Sequence, residues 1–151
     1  MKFRIVTLIS LLAFMGALLP NHANAQDPKQ QVIKFRTQVK PNSDERINLI
    51  MTPKDGEGGV SIDGCELITL PDGHKAWKVT KSWITITGPV TYFDCNLSAI
   101  DSITFENPEI LQELIVETNK MGVLNLTGMK SLTYLGASAT DIREINLTGC
   151  T

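Results

Sequence analysis

The cysteines and histidines are the first side chains to weigh for chemistry in this sequence. The three cysteines are Cys65, Cys95 and Cys150. None of them forms a close C-x-x-C pair, so their spacing does not predict a zinc site. His74 is the only histidine after residue 25, and a single imidazole cannot form a histidine-based metal site or a proton relay. We interpret His74 as a solvated turn residue.

Carboxylates are the remaining candidates for catalysis or metal binding. Asp55 and Glu57 lie in a glycine-rich run that lacks the alternating acidic ligands and the final glutamate of a calcium loop, which favours a hairpin turn. Eight acidic residues lie between positions 90 and 151, and two carboxylates can hydrolyse a glycosidic bond, but no spacing marks any pair. An enzyme acting on peptidoglycan or host glycans is therefore an alternative. The sequence predicts no catalytic residue, no metal and no cofactor.

The first 25 residues have the pattern of a secretory signal peptide. Lys2 and Arg4 precede an apolar run over residues 5–19, and residues 23–25 form a small-x-small cleavage site. The apolar run is shorter than the roughly 20 residues that a membrane-spanning helix needs. We therefore expect cleavage near Gln26 and a secreted or cell-surface protein without a membrane span.

Charge and cysteine number limit the partners of the exported chain. Without Lys2 and Arg4, 12 basic residues stand against 16 acidic ones, a net charge of −4. Residues 90–151 carry three basic and eight acidic residues, so nucleic acid is not an expected partner. An odd number of cysteines in an oxidising compartment leaves one thiol free or paired with another chain. The pairing of Cys65 and Cys150 stays open.

A 21-residue repeat organises the chain from residue 90 onward. Apolar residues recur at six positions in each of three rows: Val90, Phe93, Cys95, Ile100, Ile103 and Phe105; Leu111, Leu114, Val116, Met121, Leu124 and Leu126; Leu132, Leu135, Ala137, Ile142, Ile145 and Leu147. Ser98, Asn119 and Thr140 occupy the polar position that follows the first three. This spacing is that of a leucine-rich repeat, in which inward side chains of successive coils stack and the polar residue bonds to the backbone at the bend.

The fold class predicted from this pattern is mainly β, with little or no helix. Three coils, at residues 90–110, 111–131 and 132–151, form a short solenoid. Before them, residues 26–89 form a small, sandwich-like β-domain that covers the first coil. Its alternating segments predict strands at residues 33–39, 47–51, 60–62, 77–79 and 84–86, separated by glycine, proline and asparagine turns. Solenoids need such a cap at an open end.

The complete pattern resembles internalin-like leucine-rich-repeat surface proteins of Gram-negative anaerobic bacteria. The resemblance covers roughly residues 31–151 and is carried by the signal peptide, the Val-Ser-Ile-Asp-Gly run at 60–64, the entry segment at 84–95 and the Leu-Thr-Gly ending of the coils. With three coils, the chain looks like a short or truncated member. The resemblance implies adhesion or host interaction.

We expect the outward residues of the first strand in each coil to form a ligand-binding face. They are Thr91, Tyr92, Asp94, Asn96, Gln112, Glu113, Ile115, Glu117, Thr133, Tyr134 and Ser138. Tyrosines among carboxylates suit recognition of a host or bacterial surface protein or glycan. The alternative is a glycan-binding β-module that uses Trp77 or Trp83, with the repeats as a stalk or the remnant of a larger surface protein. Self-association through an uncapped C-terminal coil is a further expectation.

Overall fold

The computed structural model describes residues 30–54, 56 and 59–151, and this part of the chain is mainly β with no helix. The expectation of a mainly β fold with little or no helix is confirmed for these residues. The predicted signal peptide and most of the glycine-rich turn around Asp55 lie outside them. The strands are β1 (Val32–Thr37), β2 (Arg46–Ile47), β3 (Ile50–Pro53), β4 (Ser61–Asp63), β5 (Cys65–Thr69), β6 (Lys75–Val79), β7 (Trp83–Thr87), β8 (Val90–Asp94), β9 (Ile100–Glu106), β10 (Glu113–Ile115), β11 (Val123–Asn125), β12 (Tyr134–Gly136) and β13 (Glu144–Asn146).

The repeat strands pair in parallel with the register that a 21-residue period predicts. Leu114 on β10 lies opposite Phe93 on β8 and Leu135 on β12. On the second side of each repeat, Leu124 on β11 lies opposite Ile145 on β13. Residues at equivalent positions of successive repeats are therefore direct neighbours in space.

The backbone conformation repeats with the same period. The amide of Val116 donates to the carbonyl of Gly136, and the amide of Leu126 donates to that of Asn146, each 20 residues further along. Left-handed backbone angles recur at two positions of the repeat: Leu97, Thr118 and Ala139 have φ of 53°, 55° and 53°, and Asn107, Gly128 and Gly149 have φ of 49°, 79° and 78°. Such angles are uncommon for residues other than glycine, so their recurrence 21 residues apart marks the bends of one repeated unit.

Inward positions of the first two repeats form a common core with the N-terminal strands. Leu124 and Leu126 have no exposed surface, whereas their equivalents in the third repeat, Ile145 and Leu147, are 43% and 50% exposed. The prediction that Ile145 and Leu147 are core residues is therefore wrong. Among the described strands, β13 has a neighbour on one side only, so nothing covers these two side chains.

The N-terminal strands join the sheets of the repeats instead of closing on themselves. β3 pairs antiparallel with β8, and β1 pairs antiparallel with β9. The four sheets of the described residues have the strand orders β4-β7-β1-β9, β12-β10-β8-β3, β11-β13 and β2-β6-β5. Strands from both sides of the predicted border at residue 89 thus share two sheets. β5 was not predicted, and the expected strand at 47–51 is divided into β2 and β3.

Asn119 connects the first two repeats through its side-chain amide. It is buried, and its Nδ2 donates to the carbonyl oxygens of Cys95 and Val116, at 2.9 and 3.0 Å, and lies 3.2 Å from that of Glu117. Its Oδ1 accepts from the amide of Ile100 at 2.9 Å. The side chain therefore bonds the backbone of two adjacent repeats, as its position at the bend predicts.

The equivalent residues of the other repeats make fewer or different bonds. Ser98 Oγ accepts from the amide of Asn48 at 3.0 Å and lies 2.7 Å from the Asn48 carbonyl oxygen. The N-terminal segment therefore takes the place of a preceding repeat. Thr140 Oγ1 donates only to Ala137, at 2.8 Å, within its own repeat.

Replacing Asn119 should destabilise the protein far more than replacing its equivalent in the next repeat. Asn119→Ala leaves buried carbonyls and an amide unpaired and should lower the free energy of unfolding by about 3 kcal/mol. Thr140→Ala removes one partly exposed bond and should cost about 1 kcal/mol or less. Urea denaturation followed by circular dichroism measures both values. Equal losses in the two variants would contradict the assigned role of Asn119.

The repeats should also depend on the N-terminal strands for stability. Residues 90–151 expressed alone lose β1 and β3, which expose one edge of β9 and of β8 and part of the shared core. We expect this fragment to unfold without a cooperative thermal transition, in contrast to the whole exported chain. A cooperative transition in calorimetry of the fragment would show that the repeats fold independently.

Candidate binding face

The predicted binding residues lie on or beside three adjacent strands of one sheet. We call the outward surface of β3, β8, β10 and β12 the repeat face. Thr91, Tyr92 and Asp94 lie on β8, Glu113 and Ile115 on β10, and Tyr134 on β12, while Asn96, Gln112, Glu117, Thr133 and Ser138 flank these strands. The structure thus brings the predicted residues of the three repeats together.

The centre of the repeat face is a row of four side chains on neighbouring strands. Glu113 lies opposite both Tyr92 and Tyr134 in the strand register, and Thr52 of β3 lies opposite Tyr92 on the other side. Since neighbouring strands are about 4.8 Å apart, the two tyrosines stand on either side of Glu113 within roughly 10 Å of each other. Two aromatic rings and a carboxylate can supply contact area and a hydrogen-bond acceptor to one ligand.

Tyr92 carries the strongest electrostatic perturbation on this face. Loss of water contact raises the pKa of its hydroxyl, and the nearby carboxylates of Asp94 and Glu113 raise it further. The Tyr92 hydroxyl lies 3.5 Å from Asp94 Oδ2. The phenol therefore stays protonated through the physiological range and is available as a hydrogen-bond donor.

Asp94 does not belong to the exposed part of the face, contrary to prediction. It is 6% exposed, and its Oδ1 accepts from the amide of Asn96 at 2.9 Å. β3 pairs beside it, with Ile50 directly opposite, and this neighbour was not part of the sequence-based prediction. Asp94 therefore holds the end of β8 and influences Tyr92 from below the surface.

Gly136 provides room for the side chains of the neighbouring repeat. A Cβ atom built at Gly136 would lie 3.3 Å from Ile115 Cγ2 and 3.2 Å from Glu117 Oε1. These separations are tight, so a larger residue would push both side chains aside. The small residue next to Tyr134 keeps the face shallow at this point.

A groove next to the repeat face was not predicted from the sequence. It has a volume of about 640 Å3, and its lining includes Ile50, Leu67, Trp77 and Leu97 with Arg46 and Lys75. Ile50, Leu67 and Leu97 are exposed apolar side chains. Most of these residues lie on different strands, so no local pattern connects them. Leu97 alone gave a signal, because its equivalents in the other repeats are the small or polar Ala139 and Thr118.

The two tryptophans of the alternative hypothesis have different surroundings. Trp83 is 40% exposed on the outer surface of the β4-β7-β1-β9 sheet, and the Lys34 ammonium and Arg36 guanidinium lie 5.2 and 5.6 Å from its ring centre. Trp77 is half-buried and donates from Nε1 to the carbonyl of Leu49 at 2.8 Å. Trp83 can contact a ligand without loss of structure, whereas Trp77 supports the fold.

All three cysteines are free thiols in this structure. Burial raises the pKa of the Cys65 thiol to about 12, with a smaller contribution from Asp63, and burial also raises the pKa of Cys95. Neither forms a thiolate at neutral pH, so neither is suited to nucleophilic chemistry. Cys150 is half-buried, and its Sγ lies 3.3 Å from the carbonyl oxygen of Leu126.

Within the described part of the chain, no group of three or more histidine, cysteine, aspartate or glutamate side chains could hold a metal ion. The same residues contain no helix that could cross a membrane.

Comparison of the chain with protein-family models, with curated proteins and with solved structures found no match. Its function is therefore inferred from the geometry of the residues described above.

The raised pKa of Tyr92 can be measured because the chain contains only two tyrosines. In a Tyr134→Phe variant, the remaining phenol should ionise with a pKa above the ordinary value of 10. Adding Glu113→Gln removes one negative charge and should lower this pKa, while the effect of desolvation remains. Phenolate absorbance as a function of pH measures both values. An unchanged pKa would show that Glu113 does not face Tyr92.

The same shift predicts the direction of alkaline destabilisation. Because folding raises the pKa of Tyr92, the unfolded chain loses this proton first as the pH rises. The contribution of Tyr92 to stability is thus complete below pH 10 and is lost as the pH rises through the folded-state pKa.

Proposed function

We propose that this chain is a secreted or surface-exposed, non-catalytic binding protein that recognises a protein or a glycan through the repeat face. We further propose that residues 90–151 form three coils of a leucine-rich-repeat solenoid and that the chain is a short internalin-like adhesion protein. Its partner is then a host or bacterial surface molecule.

The observation that carries this proposal is the in-register row of Thr52, Tyr92, Glu113 and Tyr134. Each of the last three is supplied by a different repeat, so the row exists only because the repeats stack with a 21-residue register. Tyrosine contributes contact area at low entropic cost, and it is enriched among residues that dominate binding energy. The paired strands beneath hold the row in place before a ligand arrives.

The solenoid proposal is supported by two independent regularities. The left-handed residues recur 21 positions apart, and the buried Asn119 amide bonds the backbone of the repeat before it. Both are expected when each repeat is one coil of a stack, since each coil must bend at the same place.

A second candidate function is favoured by the position of Trp83. Its exposed ring lies between Lys34 and Arg36, and Arg36 is held by a bidentate bond to Asp101, at 2.7 and 3.0 Å. A fixed, exposed aromatic ring with charged neighbours can stack on a sugar ring. In this case the N-terminal strands bind the glycan, and the repeats are a stalk or the remnant of a larger surface protein.

Alanine substitutions distinguish the two functions once a partner has been isolated from host or bacterial surface extracts. If the repeat face binds, Tyr92→Ala, Tyr134→Ala and Glu113→Ala should each weaken binding by about tenfold or more. Trp83→Ala should leave the dissociation constant unchanged. Surface plasmon resonance with the immobilised partner measures all four variants.

Val123→Ser is the matched control, because Val123 is exposed on β11, on the other side of the repeat. If binding survives the three repeat-face substitutions and is lost with Trp83→Ala, the glycan-binding alternative replaces the proposal. Hydrolysis of any substrate in a panel of peptidoglycan and host polysaccharides would overturn the non-catalytic assignment.

A further inference from the structure

The third repeat presents an apolar surface that the first two repeats keep covered. We call it the end face: the inward side chains of the third repeat together with the free edges of β12 and β13. Its side chains are Leu132, Leu135, Ala137, Ile142, Ile145 and Leu147. Both edge strands have a hydrogen-bonded neighbour on one side only within the described residues.

Stacking accounts for the difference between this surface and its equivalents. Leu124 and Leu126 of the second repeat are fully buried because the third repeat lies against them. Ile145 and Leu147 occupy the same positions without such a neighbour. A further layer on the end face would therefore bury side chains whose counterparts are buried in each earlier repeat, and burial of apolar area is favourable.

The opposite end of the repeats shows how such a surface can be closed. There, β3 and β1 pair antiparallel with β8 and β9, and they place apolar side chains such as Met51 and Phe35 opposite Phe93 and Ile103. Antiparallel strands with apolar inward residues are thus compatible with both sides of the repeat.

We propose that the end face pairs with the end face of a second copy of this chain. A two-fold axis lying in the plane of the end face makes every strand at the junction antiparallel to the strand that it meets, whichever in-plane direction the axis takes. The second copy therefore supplies the same arrangement that β1 and β3 provide at the other end. It also satisfies two free strand edges at once.

The composition of the two edges fits this pairing. Protected edge strands usually carry lysine, proline or an inward charge. β12 and β13 carry neither lysine nor proline, and their inward residues are Leu135 and Ile145. Glu144 is the single charged residue of the two strands. In a junction centred on Ile145, Glu144 of one copy lies opposite Asn146 of the other, so no like charges are placed opposite each other.

Sedimentation equilibrium of the exported protein over a range of concentrations tests this pairing directly. A thiol reductant is present throughout, so that a disulfide through Cys150 cannot link two chains. The wild-type protein should approach twice the monomer mass as its concentration rises. Ile145→Lys and Leu147→Glu should each raise the dimer dissociation constant by about tenfold or more.

Because Ile145 and Leu147 are half-exposed in the single chain, these substitutions should leave the monomer folded, and urea denaturation of each variant verifies this. Val123→Lys is the matched control, since it adds the same charge at an exposed β-branched residue on the preceding strand of the same sheet. This variant should dimerise like the wild type. A wild-type protein that stays monomeric at all concentrations, or a dimer that survives both end-face substitutions, would overturn the proposal.

Discussion

The parallel register between residues 21 positions apart is the constraint on which the rest of this structure depends. It places Phe93, Leu114 and Leu135 next to one another and directs them to the same side of their strands. A shift of one residue would turn each of these side chains toward solvent, because side chains alternate along a strand. The apolar inward positions and the bonds of Asn119 both favour the observed register.

The N-terminal strands make this arrangement possible at its first repeat. Parallel strands leave unpaired edges unless another element covers them, and β3 and β1 cover β8 and β9. Ser98 bonds to Asn48 of the N-terminal segment where Asn119 bonds to the preceding repeat. The N-terminal region is therefore part of the same hydrophobic core and acts in place of an earlier repeat.

The candidate binding face follows from the same stacking. An outward residue is brought beside its equivalents in adjacent repeats, so three small contributions form one continuous row. The row is asymmetric, since β3 adds Thr52 and Ile50 at one side and the open edge of β12 lies at the other. A ligand on this face and a second copy on the end face would occupy adjacent surfaces, with Tyr134 near the boundary between them.

The sequence by itself determined the β class, the period of the repeat, the inward positions of its first two rows and the strands on which the two tyrosines lie. These features are local or periodic, and alternation of apolar and polar residues encodes them directly. It also indicated the bonding role of Asn119, because a polar residue at a conserved offset between apolar ones has few other positions available.

Only the tertiary structure decided which strands of the N-terminal region lie beside which repeats, since antiparallel pairing between distant segments leaves no periodic signal. That pairing buried Asp94 under β3, created the groove around Leu67, Trp77 and Leu97, and left β13 without a second neighbour. Exposure depends on what lies against a side chain, so Ile145 and Leu147, with the same residue pattern as Leu124 and Leu126, are exposed where those two are buried.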